Sequence, residues 1–330
     1  MQGLKILGTG SYTPELTVTN DDMAKIVDTN DEWIKTRTGM SVRHYNNGEP
    51  SWYMGAMASK QAIETAGISP EDIGLIIDTT ITPDFHTPST ACMIQREIGA
   101  IGSIAMDVNA ACSGFVYGFD MARRYLMTDE NIKYALVVAN EDLTKLVDFQ
   151  DRGSCILFGD GAAAVIVELS EGMFTSFIGA DGNGTKYLFA RAAVPQNPFI
   201  TDRKKYSDGM PEGREQYLYQ DGREVYKFAT KALPNAALKA AEKIGLNIDD
   251  VDVFIPHQAN IRIIETAAKN MGVSMDKFFV NLHEHGNTSS ASIPIALDDA
   301  IRTGKVKRGD KVCLVGFGAG LTYAAAIFEY

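Results

Sequence analysis

Glu64-Thr65-Ala66-Gly67-Ile68-Ser69-Pro70-Glu71-Asp72-Ile73-Gly74-Leu75-Ile76-Ile77 has a counterpart further along the chain, Glu242-Lys243-Ile244-Gly245-Leu246-Asn247-Ile248-Asp249-Asp250-Val251-Asp252-Val253-Phe254-Ile255. Both run from a helix end through a glycine stop and an acidic turn into an apolar strand. Ala162–Glu168 is echoed by Tyr323–Glu329, and the bend around Cys112 by His285-Gly286-Asn287-Thr288-Ser289 ahead of a helix from Ala291 to Ile301. A repeat on this scale implies two βα-rich halves, neither able to bury its sheet alone, packed about a pseudo-twofold axis. Apolar strands alternating with helices imply mixed sheets covered by helices. The boundary falls near Ser170 to Gly172, giving an N-terminal half at 1–171 and a C-terminal half at 172–330.

A chain of 330 residues, 45% hydrophobic and 22% charged, is an ordinary globular composition too long for one core. No apolar run approaches a membrane span, and the chain opens directly into the strand-like Leu4-Lys5-Ile6-Leu7. No signal peptide, no membrane contact and a cytoplasmic location are therefore expected. Cys92, Cys112, Cys155 and Cys313 are widely spaced, which favours neither a disulfide framework nor a zinc knuckle. A net charge of −11 argues against nucleic-acid binding, and an acidic partner would need a local basic patch. Gly8-Thr9-Gly10 follows a strand without opening a helix, so a dinucleotide site is excluded. Residues 191–223 lack periodicity and read as a long polar loop.

Met106-Asp107-Val108-Asn109-Ala110-Ala111-Cys112-Ser113-Gly114-Phe115 carries the chemistry. A strand ends here and a helix opens, with apolar residues at Phe115, Val116, Phe119, Ala122 and Leu126. Cys112 sits at the first turn, where unpaired N–H groups favour a thiolate and lower the thiol pKa. Small neighbours leave room for a carbonyl to reach the sulfur. A buried packing cysteine would fit the same pattern. His257 lies just past a strand, in the position equivalent to the Ile81-Thr82-Pro83 loop, and Asn287 lies at the bend equivalent to Cys112. Both halves thus aim loops at a shared interface. A hydrogen-bonded structural histidine and a helix-capping asparagine are the plain alternatives. His283 and His285 form an HxH pair that no carboxylate or cysteine spacing completes, so no metal is expected. Gly316-Phe317-Gly318-Ala319-Gly320, read as a turn after the strand Val312–Val315, suits an oxyanion hole but lacks the lysine of a P-loop.

Asn109-Ala110-Ala111-Cys112-Ser113-Gly114, Pro256-His257-Gln258-Ala259-Asn260-Ile261-Arg262, His285-Gly286-Asn287-Thr288-Ser289 and Gly318-Ala319-Gly320 occur in this order. With Asp31–Gly39, Asp151-Arg152-Gly153 and Phe158–Gly161 they closely resemble the β-ketoacyl-acyl-carrier-protein synthase III family, end to end and most weakly across 191–223. The resemblance implies a thiolase-like fold of two duplicated halves in a five-layered αβαβα sandwich, working as a homodimer. It implies that Cys112 takes an acyl group from acyl-CoA, and that His257 and Asn287 bind malonyl-acyl-carrier-protein and stabilise its enolate as CO2 leaves. It places the oxyanion hole at the backbone N–H groups of Cys112 and Ala319, with alanine standing where many relatives have glycine. CoA thioesters are substrates, and no cofactor is implied. Trp33, Arg37 and Arg152 match CoA-nucleotide positions; Arg262 matches the carrier-docking position, with Lys227 and Lys269 as helpers. No candidate replaces the glutamate base of the hydroxymethylglutaryl-CoA branch. Thr87 falls where some relatives place a bulky aromatic that reaches into the partner's acyl pocket, which implies tolerance of longer or branched primers. A specialised-metabolism condensing enzyme or acyltransferase of the same fold is the alternative within the resemblance. A non-catalytic carrier-binding subunit is disfavoured because Cys112, His257 and Asn287 are all present.

Overall fold

The computed structural model describes residues 2–192, 198–199, 209–211 and 217–330. The strands that matter for the site are β1 (Gln2–Tyr12), β2 (Ile73–Thr79), β3 (Ile104–Val108), β4 (Tyr134–Glu141), β5 (Gly161–Glu171), β6 (Phe174–Ala180), β7 (Val253–Pro256), β8 (Lys311–Gly318) and β9 (Thr322–Glu329). They form one sheet of order β1-β5-β4-β2-β3 and another of order β6-β9-β8-β7. In each, two antiparallel pairings lead into parallel ones, so the second sheet repeats the first. Where the first sheet adds β3, the second has a single parallel bridge, Phe254 to Phe278. The chain crosses from one sheet to the other between Glu171 and Phe174.

Six helices, α1 (Ser51–Ala66), α2 (Thr90–Ile98), α3 (Gly114–Thr128), α4 (Gly222–Glu242), α5 (Ile261–Met271) and α6 (Ser292–Arg302), fill three layers around these sheets. α3 and α6 lie between them, in a core shared by both sheets. Phe119 of α3 packs on Phe174 and Phe328 of the second sheet, at ring separations of 6.0 and 5.2 Å. Asp298 of α6, fully buried, accepts from Thr9 and Ser11 of β1 at 2.6 and 2.7 Å and pairs with Arg302. α1 and α2 cover the outer face of the first sheet and α4 and α5 that of the second. This is the five-layered thiolase-like arrangement.

One constant offset relates Gly67 to Gly245, both in the left-handed region, and the turn Pro70–Asp72 to Ile248–Asp250. It also relates Ala111 to Ser289, the only described non-glycine residues with positive φ, at 48° and 51°. This corrects the pairing expected from sequence. Cys112 corresponds to Ser290, Asn287 to Asn109, and His257 to Thr79 rather than to the Ile81–Pro83 loop. The bends match, but their functional residues sit at different steps.

Smaller expectations shift as well. β8 runs on through Gly318, so the turn begins only at Ala319. Of the loop read at 191–223, most lies outside the described residues. Its end is ordered: Tyr219–Gln220 pairs with Leu188–Phe189, and Asp221 caps α4 from Gly222.

Candidate active site

Cys112 stands in the 3-10 turn Ala111–Ser113 that opens α3. The positive φ of Ala111 bends the chain sharply, so the sulfur faces an internal cavity of about 610 Å³. The cavity wall is its open side; elsewhere it is packed in protein. Its thiol donates to Ser289 Oγ at 3.4 Å. Burial pushes the thiol up to about 12, against the lowered value expected from the helix start. Loss of hydration outweighs a helix end whose effect is a fraction of an elementary charge.

His257 follows β7 and is fully buried, its ring edge-on to Phe317 at 5.3 Å. Burial alone lowers its pKa to about 3, so the imidazole is neutral. Ser292 Oγ accepts the Gln258 N–H at 3.3 Å and lies 2.7 Å from His257 Nδ1. Ser292 thus holds Nδ1, which leaves Nε2 as the ring nitrogen for the cavity that His257 lines.

Asn287 is clamped by its backbone between Leu157 and Gly159, at 2.8 and 3.0 Å. Ser289 N–H donates to its Oδ1 at 2.9 Å, leaving the Nδ2 amine free to donate. The cavity wall therefore carries a thiol, an imidazole ring and an amide NH2. Cys112, His257, Asn287 and Ala319 all line it.

β8 passes directly behind the nucleophile. A Cβ at Gly318 would stand 2.6 Å from Cys112 N, so glycine is what permits this approach. Ala319 has no positive φ, and its side chain is accommodated with the backbone N–H kept. The Cys112 N–H lies at a helix start, where such groups lack intrahelical partners.

At the cavity mouth, Trp33 sits on the helix Asp31–Thr38, which Asn30 caps by accepting the Trp33 N–H at 2.8 Å. Arg37 and Arg152 lie 5.9 and 5.0 Å from the indole ring. Trp33 and Arg37 line the cavity; Arg152 stands outside it, donating to Asp28 O at 2.9 Å. Arg262, Lys227 and Lys269 are exposed on α4 and α5, which are tied together by Tyr226–Thr266 and Asn270–Thr230. Lys227 pairs with Glu224 at 2.5 Å. Thr87 is exposed, next to the half-exposed Phe85, and does not line the cavity of its own chain. His285 meets Asp299, a carboxylate the linear spacing hid, at 3.4 Å; Asn281 also holds Asp299. Sequence reasoning missed Ser289, Ser292 and the fully buried Glu141. Writing the two halves out in register would have set Ser290 opposite Cys112 and drawn attention to that bend.

Fold and site together define an acyl-transferring condensing enzyme of the thiolase type. The 3-oxoacyl-[acyl-carrier-protein (ACP)] synthase III profile matches residues 106–182, and the profile of its C-terminal part matches 241–330. A β-ketoacyl-[acyl-carrier-protein] synthase III of Clostridium acetobutylicum is 48% identical over the whole chain and 99% of its own length. The chain belongs to the 3-oxoacyl-[acyl-carrier-protein] synthase III family. The crystal structure of 3-oxoacyl-[acyl-carrier-protein] synthase III from Aquifex aeolicus VF5 superposes with a TM-score of 0.90 at 41% identity, covering 99% of this chain and 100% of that one. The priming β-ketosynthase of the R1128 polyketide pathway is also similar, with a TM-score of 0.88 at 35% identity over 99% of this chain and 96% of that one.

Proposed function

We propose that the chain joins an acyl-CoA primer to malonyl-acyl-carrier-protein with loss of CO2, giving a 3-oxoacyl-acyl-carrier-protein and CoA, and so initiates fatty acid synthesis. The observation that carries this is the meeting of Cys112, His257 and Asn287 on one cavity wall, below a mouth carrying Trp33 and Arg37. Cys112 attacks the acyl-CoA carbonyl, and the backbone N–H groups of Cys112 and Ala319 receive the oxyanion. CoA then leaves. His257 Nε2–H and Asn287 Nδ2–H donate to the malonyl thioester carbonyl, so the negative charge released by decarboxylation collects on an oxygen already held by two donors. Because the imidazole is neutral, it stabilises the enolate without protonating its carbon. That carbon attacks the acyl-Cys112 thioester.

Trp33 offers a flat face for adenine, and Arg37 and Arg152 offer charge for phosphates. Arg262, Lys227 and Lys269 form a local basic surface for the acidic carrier on a chain of net charge −11. Two copies pair as a homodimer in the cytoplasm, each divided at 171/172, and Thr87 of each lines the partner's acyl pocket. Its small side chain makes room for longer or branched primers. Among the described residues no helix is long and apolar enough to cross a membrane. The test is intact-protein mass spectrometry after mixing with a panel of acyl-CoAs, beside Cys112→Ala. One acyl adduct that requires Cys112 is expected, and no adduct from any primer refutes the reading. The likeness to the R1128 priming ketosynthase supports a second reading, priming of a polyketide carrier. Comparing turnover with a fatty acid carrier and a polyketide carrier separates the two.

A further inference from the structure

We propose that the Ser289 hydroxyl is a catalytic hydrogen-bond partner of the Cys112 sulfur, accepting from the resting thiol and donating to the thiolate that attacks the acyl-CoA; this rests on Cys112 being the nucleophile. Ser289 Oγ stands 3.4 Å from Cys112 Sγ, and among the described residues it is the one side chain that bonds to the sulfur. It is fully buried and lines the same cavity. The pairing joins the two halves of the chain. Ser289 holds the step in its bend that Ala111 holds beside the nucleophile, with a matching left-handed φ.

The hydroxyl cannot withdraw, because its turn is fastened to the N-terminal half. Ser289 N–H donates to Asn287 Oδ1 at 2.9 Å. The next residue, Ser290, has its Oγ 2.8 Å from Thr79 O at the end of β2 and 2.8 Å from Glu141 Oε1 at the end of β4. Glu141 is itself held by Thr82 Oγ1 at 2.8 Å and Ile81 N–H at 3.1 Å. Two strands of the first sheet thus grip the turn that presents Ser289 to the sulfur.

The sulfur needs a donor. Burial pushes the thiol up to about 12, and the Ser289 bond works against that rise. A charged Glu141 opposes the thiolate further, and His257, on the same cavity, is neutral. A thiol is a weak donor, so the bond made at rest is weak. A bond from a hydroxyl to a thiolate is charge-assisted and stronger. The difference favours the thiolate, which is the form that reacts. Ser289 keeps its own proton throughout. In acylation the Cys112 S–H bond breaks and its proton passes to solvent. The sulfur pair forms the new C–S bond, the C–S bond to CoA breaks, and the CoA thiolate takes a proton from solvent. In condensation the enolate carbon forms the C–C bond, the hydroxyl donates to the departing Cys112 sulfur, and the thiolate recovers a proton from solvent.

The test is Ser289→Ala, which keeps the backbone N–H that holds Asn287; Ala111 shows that alanine takes this φ. Three rates are compared with the parent: single-turnover acylation by acyl-CoA read by intact-mass spectrometry, alkylation of Cys112 by iodoacetamide read on its peptide, and decarboxylation of the malonyl substrate without primer. Removing the hydroxyl only widens the space beside the sulfur, so slower alkylation reports a smaller thiolate fraction and not lost access. Acylation and alkylation are each expected to fall about tenfold between pH 7 and 9, the effect of raising the thiol pKa by about one unit, with decarboxylation within about twofold of the parent. Acylation or alkylation at the parental rate overturns the assignment. So does an equal loss of all three rates, which marks a purely structural role. If circular dichroism shows the alanine variant unfolded, Ser289→Gly, which suits the positive φ, decides in its place. Unfolding of both makes the hydroxyl a structural tie and overturns the assignment too. Absence of any Cys112-dependent adduct on the parent overturns the nucleophile reading instead, and the Ser289 assignment with it.

Discussion

Gly318→Ala puts one methyl group into the tightest contact behind the nucleophile. Its carbon would stand 2.6 Å from Cys112 N, 3.0 Å from Ala111 Cβ and 3.2 Å from Thr322 Oγ1. Ordinary contact requires about 1 Å more. The nearest atom is backbone, so rotamer changes give no relief and either β8 or the Cys112 turn must move. Overpacking of this kind costs about 1–3 kcal/mol of stability. A misplacement of about 1 Å at reacting atoms costs roughly 100-fold in rate. The Cys112 N–H, a proposed oxyanion donor, is the atom displaced. Gly10→Ala is the control: its Cβ would lie 2.4 Å from Ala58 O and 2.6 Å from Ala62 N, an equal intrusion between β1 and α1. Both variants should lower Tm by several degrees in thermal denaturation, and only Gly318→Ala should lose acylation of Cys112 by about two orders of magnitude. Gly318→Ala acylating within threefold of the parent, or Gly10→Ala losing as much activity, would refute the reasoning.

Ser292→Ala removes the group that holds His257 Nδ1, so malonyl decarboxylation should drop on the order of tenfold with acylation retained; an equal drop in both would point to general disruption. His257 has its pKa lowered by burial from 6.5 to about 3. Between those values the unfolded chain binds a proton the folded chain refuses. Stability therefore falls as pH drops through that window, by up to about 1.4 kcal/mol per pH unit. Denaturant titrations of His257→Gln should show a flatter acid limb, and superimposable curves would count against a buried neutral ring. Arg262→Glu should raise KM for the malonyl carrier several-fold and weaken its salt dependence, leaving KM for acyl-CoA unchanged in steady-state assays.

The duplicated architecture was legible because the glycine stops, acidic turns and apolar strands recur in both halves, and these are local signals. The bend at Cys112 was legible for the same reason. The one-to-one correspondence of the halves was not, because nothing in Asn109-Ala110-Ala111-Cys112 announces that Ala111 takes φ 48°. Tertiary burial overrode the helix-start effect on the thiol, and burial cannot be counted from one segment. Glu141 stayed unseen because its partners, Thr82 and Ser290, come from distant parts of the chain. The stretch 191–223 gave no periodicity, though Asp221 followed by Arg223 and Glu224 is a readable helix start.

The strand carrying Gly318 follows Cys112, His257 and Asn287 in the chain, and this orders events on the ribosome. A nascent chain extended only to Arg302 already contains Cys112, His257 and Asn287, yet lacks β8 and β9, the wall against which the Cys112 turn is pressed. Such a chain lacks Ala319, and with it one of the two proposed oxyanion donors. The hairpin of β8 and β9 supplies the backbone behind a nucleophile that precedes it by about two hundred residues of chain.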